Sequence, residues 1–208
     1  MLKPVPHLKL HPEIHRYRYK DKWLLNSVTG VVGHEMSQEK KAAINFYKDG
    51  PTGWAARGTA LHSVLENLLI GKEIENDDLW QEWIEPLKRC ELFEGSETLA
   101  AEYSVCDPVK SIGGQFDFLI KTKAGEIVLG DLKTSSTKRA AKKREPANEQ
   151  LGAYKLMLEK HHPNLQVDKC CTLVLGPDYV EAKRESPETC VNAWKEVLEK
   201  FQLTQEDW

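Results

Sequence analysis

Two apolar runs dominate the middle of the chain, and a single acidic residue interrupts each. Ser111 to Lys121 carries Gly-Gly-Gln-Phe-Asp117-Phe-Leu-Ile, and Glu126 to Thr134 carries Ile-Val-Leu-Gly-Asp131-Leu-Lys133-Thr. Side chains alternate faces along a strand. Read as strands, the first run puts Phe116, Phe118 and Ile120 on one face and Asp117 on the other. In the second, Asp131 and Lys133 share a face while Leu132 points into the opposite layer. A Lys123-Ala124-Gly125 turn joins the two, and Leu99 to Val105 reads as a strand before them. The three form an antiparallel meander. Adjacent strands of this register bring Asp117, Asp131 and Lys133 to one spot.

Upstream the period changes from two to about 3.6. Met1 to Pro12 is proline-rich and reads as irregular. Ile14 to Leu25 reads as a hairpin turning at Lys20-Asp21-Lys22. Its Tyr17, Tyr19 and Trp23 pack it down or offer a surface for stacking on a base. A short helix follows Asn26-Ser27-Val28-Thr29, and a better one spans Ser37 to Lys48, ended by Asp49-Gly50-Pro51-Thr52-Gly53. The next helix, Trp54 to Ile70, has an apolar stripe of Trp54, Leu61, Val64, Leu65 and Leu68, with Gly71 closing it. Another starts at Asn76, is bent by Pro86, and runs to about Phe93.

Downstream, Ala147 to Lys160 reads as a helix with Leu151, Tyr154, Leu156, Met157 and Leu158 as its apolar surface. Val167 to Leu175 is a strong apolar strand, Tyr179 to Arg184 pairs back on it, and Pro187 to Leu203 is an amphipathic helix. The pattern describes a mostly helical first half, 1–95, and a strand-strand-strand-helix-strand-strand-helix core, 96–208. This is a mixed α/β chain with a central sheet, read as one domain over its 208 residues.

Composition narrows the picture in three ways. At 40% hydrophobic and 29% charged, with no apolar run near the roughly 20 residues of a membrane span, the chain reads as soluble and without a membrane partner. The first residues lack both a secretory signal and a mitochondrial leader, so the cytoplasm is the expected location. Five cysteines fit free thiols in a reducing compartment. A net charge of −3 argues against a protein coated for non-specific duplex binding. Only a groove need be positive, however, and Lys138, Arg139, Lys142, Lys143 and Arg144 crowd into one run beside the acidic strands. That run is either a solvated loop or a phosphate contact.

Two carboxylates and an ammonium suit a divalent cation that hydrolyses a phosphodiester. On the Trp54–Ile70 helix, His62 and Glu66 lie four apart and share a face, with Arg57 and Gly58 one turn earlier. Singly, each is an ordinary helix residue. Gln150 and Tyr154, also four apart, share a face of the helix after the Asp131–Lys133 strand.

Taken in order, Arg57-Gly58, His62, Gly114 with Asp117, Gly130-Asp131-Leu132-Lys133-Thr134, and Gln150 with Tyr154 resemble the RecB-like branch of the PD-(D/E)xK nucleases. That superfamily has the restriction-endonuclease-like fold. A narrower resemblance is to the mitochondrial genome-maintenance exonuclease family. It adds Ser27-Val28-Thr29, Glu102 and the Val167–Leu175 strand with its trailing helix, and covers nearly the whole chain. Without a leader, a bacterial or phage relative is the expected source.

The resemblance implies Mg²⁺ or Mn²⁺ held by His62, Asp117, Asp131 and the Leu132 backbone carbonyl, with Glu66 and Glu102 as outer or second-metal ligands. It implies Lys133 as a base toward water or a charge that stabilises the transition state. Gln150 would orient Lys133 or a phosphate, Arg57 would clamp a phosphate, and Tyr154 would touch DNA. The basic run 138–144 would guide the strand. Single-stranded DNA is the implied partner and exonuclease action the implied reaction. A double-strand-end exonuclease, a structure-specific endonuclease and a silent DNA-binding module are the alternatives, and protein partners stay open. Cys90 falls after the histidine helix, and Cys170, Cys171 and Cys190 lack Cys-x-x-Cys spacing, so neither an iron–sulfur cluster nor a structural zinc is expected.

Overall fold

The architecture follows from one long meander and the two apolar faces it presents. The structure, a computed structural model, describes residues 1–74 and 77–206. Strands β5 (Glu97–Asp107), β6 (Ile112–Lys121) and β7 (Ile127–Thr134) run antiparallel, as the alternation predicts. Strand β8 (Lys169–Gly176) lies parallel to β7, and β9 (Tyr179–Glu185) returns antiparallel along β8. The short β4 (Asn26–Ser27) joins β6 in parallel at Ile112 and Gly113. The result is a six-stranded mixed sheet, ordered β4-β6-β7-β8-β9 with β5 on the other edge of β6.

Helices cover both faces. On one side lie α1 (Val28–Val32), α6 (Asn148–His161) and α7 (Pro187–Glu206), whose Leu151, Leu158 and Trp194 pack with Leu119, Leu129 and Cys170. On the other lie α3 (Trp54–Leu69) and α4 (Gln81–Lys88), whose Leu61, Leu65, Ile84 and Leu87 pack with Phe118, Leu132 and Leu173. A second small sheet, β1 (Leu8–His11), β2 (Arg16–Tyr19) and β3 (Lys22–Trp23), precedes them, and α2 (Gln38–Phe46) stands apart from both cores.

Several expectations change. Leu8–His11 is a strand, not irregular chain, because Leu8 and Leu10 pair with Tyr19 and Tyr17 of the expected hairpin. That hairpin turns at Lys20-Asp21, with Lys20 at φ +54°. The first half is therefore helical with a small sheet added. The predicted helix start at Asn76 lies outside the described residues. The helix there is only Gln81–Lys88, followed by a 3-10 turn at Glu91–Phe93. The basic run is the short helix α5 (Lys138–Lys142), capped by the Thr137 hydroxyl, and not a loop. Trp54 and Leu156 are 38% and 39% exposed, so neither belongs to a buried stripe. Phe116 does not share a face with Phe118. It joins the α6 side, next to Tyr103 and Tyr154, while Phe118 and Ile120 face α3 and α4. The cause is local. Opposite Asp117, Glu102 sits at φ +44°, and strict alternation breaks there.

Gly130 sits directly across from Phe118, whose ring lies where a Cβ would be, 1.8 Å from its nearest atom. A side chain at 130 must displace that ring into an already filled core. Gly130→Ala should lower unfolding stability by about 1–3 kcal/mol, read as a lower urea midpoint with an unchanged slope.

Candidate metal centre

The site arises where the β6–β7 ladder opens. Pairing between the two strands ends at Phe118 and Gly130. Beyond that pair β7 stays with β8 through Thr134, and β6 stays with β5. β4 takes up the vacated edge of β6 only at Ile112 and Gly113. Between them lies a fork, and the next residues on its two arms are Asp117 and Asp131. An opened ladder leaves backbone N–H groups without partners, which is costly when they are buried. The Asp117 carboxylate answers that need: its Oδ2 accepts the hydrogen bond donated by the Leu132 backbone N–H.

The other oxygen of Asp117 reaches α3. His62 Nδ1 stands 2.9 Å from Asp117 Oδ1 and 3.4 Å from Glu102 Oε1. Leu61 and Leu65 explain the placement of His62. They are buried on the sheet and fix the rotation of α3, which leaves the next residue, His62, at the fork. Glu102 arrives by its left-handed backbone, a conformation that costs about 1–3 kcal/mol for a side chain of this kind. On the second arm, Lys133 Nζ lies 2.7 Å from Asp131 Oδ2, which has no aligned hydrogen-bond donor. Asp117 and Asp131 are 5% and 4% exposed, so both charges are held out of water.

These surroundings shape the proton affinities. Burial works against the His62 imidazolium, but hydrogen bonds to Asp117 and Glu102, and their charges, overcome it and raise the pKa to about 10. In the metal-free chain this interaction contributes stability that is complete below the unfolded histidine range, about 6.5, and is lost as pH rises through about 10. Burial pushes the Asp131 carboxyl up, with Lys133 pulling the other way and the Asp117 charge adding to the rise. Burial, then the charges of Asp131 and Asp117, push the Tyr154 phenol well up, so it stays protonated.

One ligand atom each from His62, Glu102 and Asp117 lie within 4.8 Å of one another. Two carboxylates and an imidazole form a donor set suited to a divalent cation. The residues present fit such an ion. Bound there, it would supply Lewis acidity toward a phosphate oxygen.

The family follows from the core of the chain. Residues 91–208 match the PD-(D/E)XK nuclease superfamily, more than half of the sequence. The chain belongs to the PD-(D/E)XK nuclease superfamily. Asp117, Asp131 and Lys133 stand within the matched residues, and the mixed sheet between helices is the restriction-endonuclease-like arrangement. Arg57, His62 and Glu66 lie upstream of the match. Among solved structures, SSO0001 is similar at 18% identity over 83% of this chain and 74% of that one, with a TM-score of 0.44. No curated protein matches.

The remaining candidates divide. Arg57 is 7% exposed, and its Nε is 3.4 Å from Thr134 Oγ1. Glu66 is half-buried on α3 and outside the His62–Glu102–Asp117 group. Gln150 is buried with its Oε1 unpartnered, and it makes no hydrogen bond to Lys133 among the described residues. Tyr154 is 3% exposed and packs where a Cβ on Gly114 would be, so it cannot offer a ring face to a base. It is a wall of the site instead. Of the basic run, Arg144 borders the site, while Lys138, Arg139, Lys142 and Lys143 face solvent. All five cysteines are buried free thiols.

Two cavities meet at the cluster, and His62 and Lys133 line both. The smaller, about 310 Å³, is bounded by Tyr17, Thr29, Glu102, Asp117, Asp131 and Tyr154. The larger, about 840 Å³, extends from Leu132–Thr134 past Arg57 to α2. Sequence reasoning quoted Thr29 in the family resemblance without giving it a role, and it missed the α2 wall. The aromatic pair Phe46-Tyr47 just before the Asp49–Gly53 break was the available signal.

If His62 Nδ1 ligates a cation, its proton must leave first. Calorimetric titration of Mn²⁺ near neutral pH, in buffers of differing ionisation enthalpy, should show release of about one proton per ion, with affinity rising about tenfold per pH unit. His62→Ala should abolish the buffer dependence. A heat independent of buffer would remove His62 from the ligand set.

Proposed function

We propose that the chain is a metal-dependent exonuclease on single-stranded DNA, of the RecB-like branch and similar to the mitochondrial genome-maintenance exonucleases. The observation that supports this reading above others is the contact of His62, from a helix outside the matched core, with Asp117 inside it at 2.9 Å. A histidine upstream of the Asp-x-Lys strand is the mark of that branch.

In this reading Asp117, His62 and Glu102 would hold Mg²⁺ or Mn²⁺, with Asp131 and the Leu132 carbonyl as further candidate ligands, and the ion would supply Lewis acidity toward a phosphate oxygen. Asp117 also fixes the second arm through the Leu132 N–H, so the ligand geometry is set by the backbone. Lys133 sits 2.7 Å from Asp131 and lines both cavities, within reach of a phosphate spanning them. It holds charge against the pentavalent phosphate or takes a proton from the attacking water. Water attacks in line, the P–O3′ bond breaks, and a 5′-phosphate and a 3′-hydroxyl result. Tyr154, kept protonated, closes one wall against bulk water. Substrate and location stand as proposals: DNA with a free single-stranded end, in a bacterial or phage-infected cell, in repair, recombination or replication. No helix among the described residues is long and apolar enough to cross a membrane.

The test is digestion of end-labelled linear single strands, circular single strands and linear duplex in Mg²⁺ or Mn²⁺. The linear single strand should be degraded, the circle should resist, and EDTA should stop the reaction. Asp131→Ala should abolish cleavage, and Lys133→Ala should slow it about 100- to 1,000-fold. Retained activity in Lys133→Arg would assign the lysine a charge role. Digestion of the circle or preference for duplex would replace this reading with an endonuclease or a double-strand-end enzyme. Binding without cleavage would make it a silent module.

A further inference from the structure

The larger cavity has a wall that the chemistry of the metal centre does not use. Helix α2 buries none of its residues, and it ends in Phe46, 80% exposed, and Tyr47, 71% exposed, with rings 5.0 Å apart. Nothing in the core needs them. The Trp54 indole N–H donates to the Ile44 carbonyl at 2.8 Å, which ties the end of α2 beside the start of α3 and holds the two rings at the cavity. Large apolar groups left together on a surface mark a binding site.

Across the cavity, Arg57 is nine-tenths buried, yet no carboxylate lies within ion-pair distance of it among the described residues. A buried guanidinium without a counter-charge calls for an anion. One residue on, Gly58 sits inside α3, where glycine costs about 1 kcal/mol relative to alanine. A Cβ there would meet nothing within 4 Å, so no neighbour in the fold requires glycine. The side chain it lacks would project into the cavity.

We propose that this cavity takes the stretch of single-stranded DNA next to the scissile bond, with Phe46 and Tyr47 stacked on bases, Arg57 on a phosphate, and Gly58 leaving room for the backbone. The proposal rests on the nuclease reading and assigns its strand preference to named residues. Stacking on exposed rings needs bases that are unpaired, so this wall favours a single strand over a duplex. Lys40, Arg57, Lys133 and Arg144 share the cavity lining with Phe46, Tyr47 and Trp54, a combination that single-stranded nucleic acid matches and an apolar peptide does not.

The test is binding in EDTA, where no cleavage intervenes, of fluorescein-labelled oligothymidine and of a matched duplex, followed by anisotropy. Phe46→Ala and Tyr47→Ala should each weaken single-strand binding about tenfold, with Phe46→Trp and Tyr47→Phe close to the parent. Gly58→Ala should raise the melting temperature, and Gly58→Phe should weaken binding without lowering that temperature. Unchanged single-strand affinity in Phe46→Ala and Tyr47→Ala overturns the proposal. So does equal weakening on the duplex, or a loss of self-association in sedimentation in place of DNA binding. Because the assay needs no catalysis, an inactive parent showing the expected binding pattern would refute only the nuclease reading. An active parent whose alanine variants bind normally would refute only this one.

Discussion

The hydrogen bond from the Leu132 backbone N–H to the Asp117 carboxylate is the interaction on which the site depends. A sheet of this kind gains stability by continuing its ladder, and here β6 and β7 stop pairing after Phe118 and Gly130. Each further residue forgoes backbone bonds that buried groups need. Asp117 replaces one of those bonds with its side chain, and so keeps the fork open at modest cost. The same carboxylate then faces His62 with its second oxygen. Three elements, α3, β6 and β7, are joined through one side chain. Moving any of them would disturb the positions of the others.

That junction explains why the acidic residues are tolerated at all. Two carboxylates, Asp117 and Asp131, are nearly out of water and are partly neutralised by His62 and Lys133. Glu102 brings a further carboxylate to His62 from a left-handed backbone, and a cation at this cluster would balance the added charge. Two cavities meet there, one opening toward α2 and the other beside Tyr17, Thr29 and Tyr154.

Much of this was legible in the sequence because period-two alternation is a local property. The meander and the shared face of Asp131 and Lys133 follow from it, and the α3 and α6 helices follow from the equally local 3.6-residue period. It failed where the backbone departs from regularity. Glu102 at φ +44° turned Phe116 onto the other core, and no residue pattern announces a left-handed glutamate. Leu8–His11 became a strand through a partner later in the chain, which propensity in a proline-rich stretch does not reveal. Tyr154 shared a helix face with Gln150, as its spacing required, but which layer that face meets is a tertiary fact. Gly114 admits the Tyr154 ring, so the tyrosine is buried and unavailable for stacking. The basic run illustrates the reverse limit: charge density located it, but only Arg144 turns to the cavity.

The central claim is that the fork gathers His62, Glu102 and Asp117 around one divalent cation. Anomalous diffraction at the manganese edge, from crystals soaked in Mn²⁺, tests it without recourse to activity. The account predicts a peak bounded by His62, Glu102 and Asp117, lost in Asp117→Asn crystals. Mn²⁺ bound elsewhere, or no peak at this cluster in the parent, would contradict it.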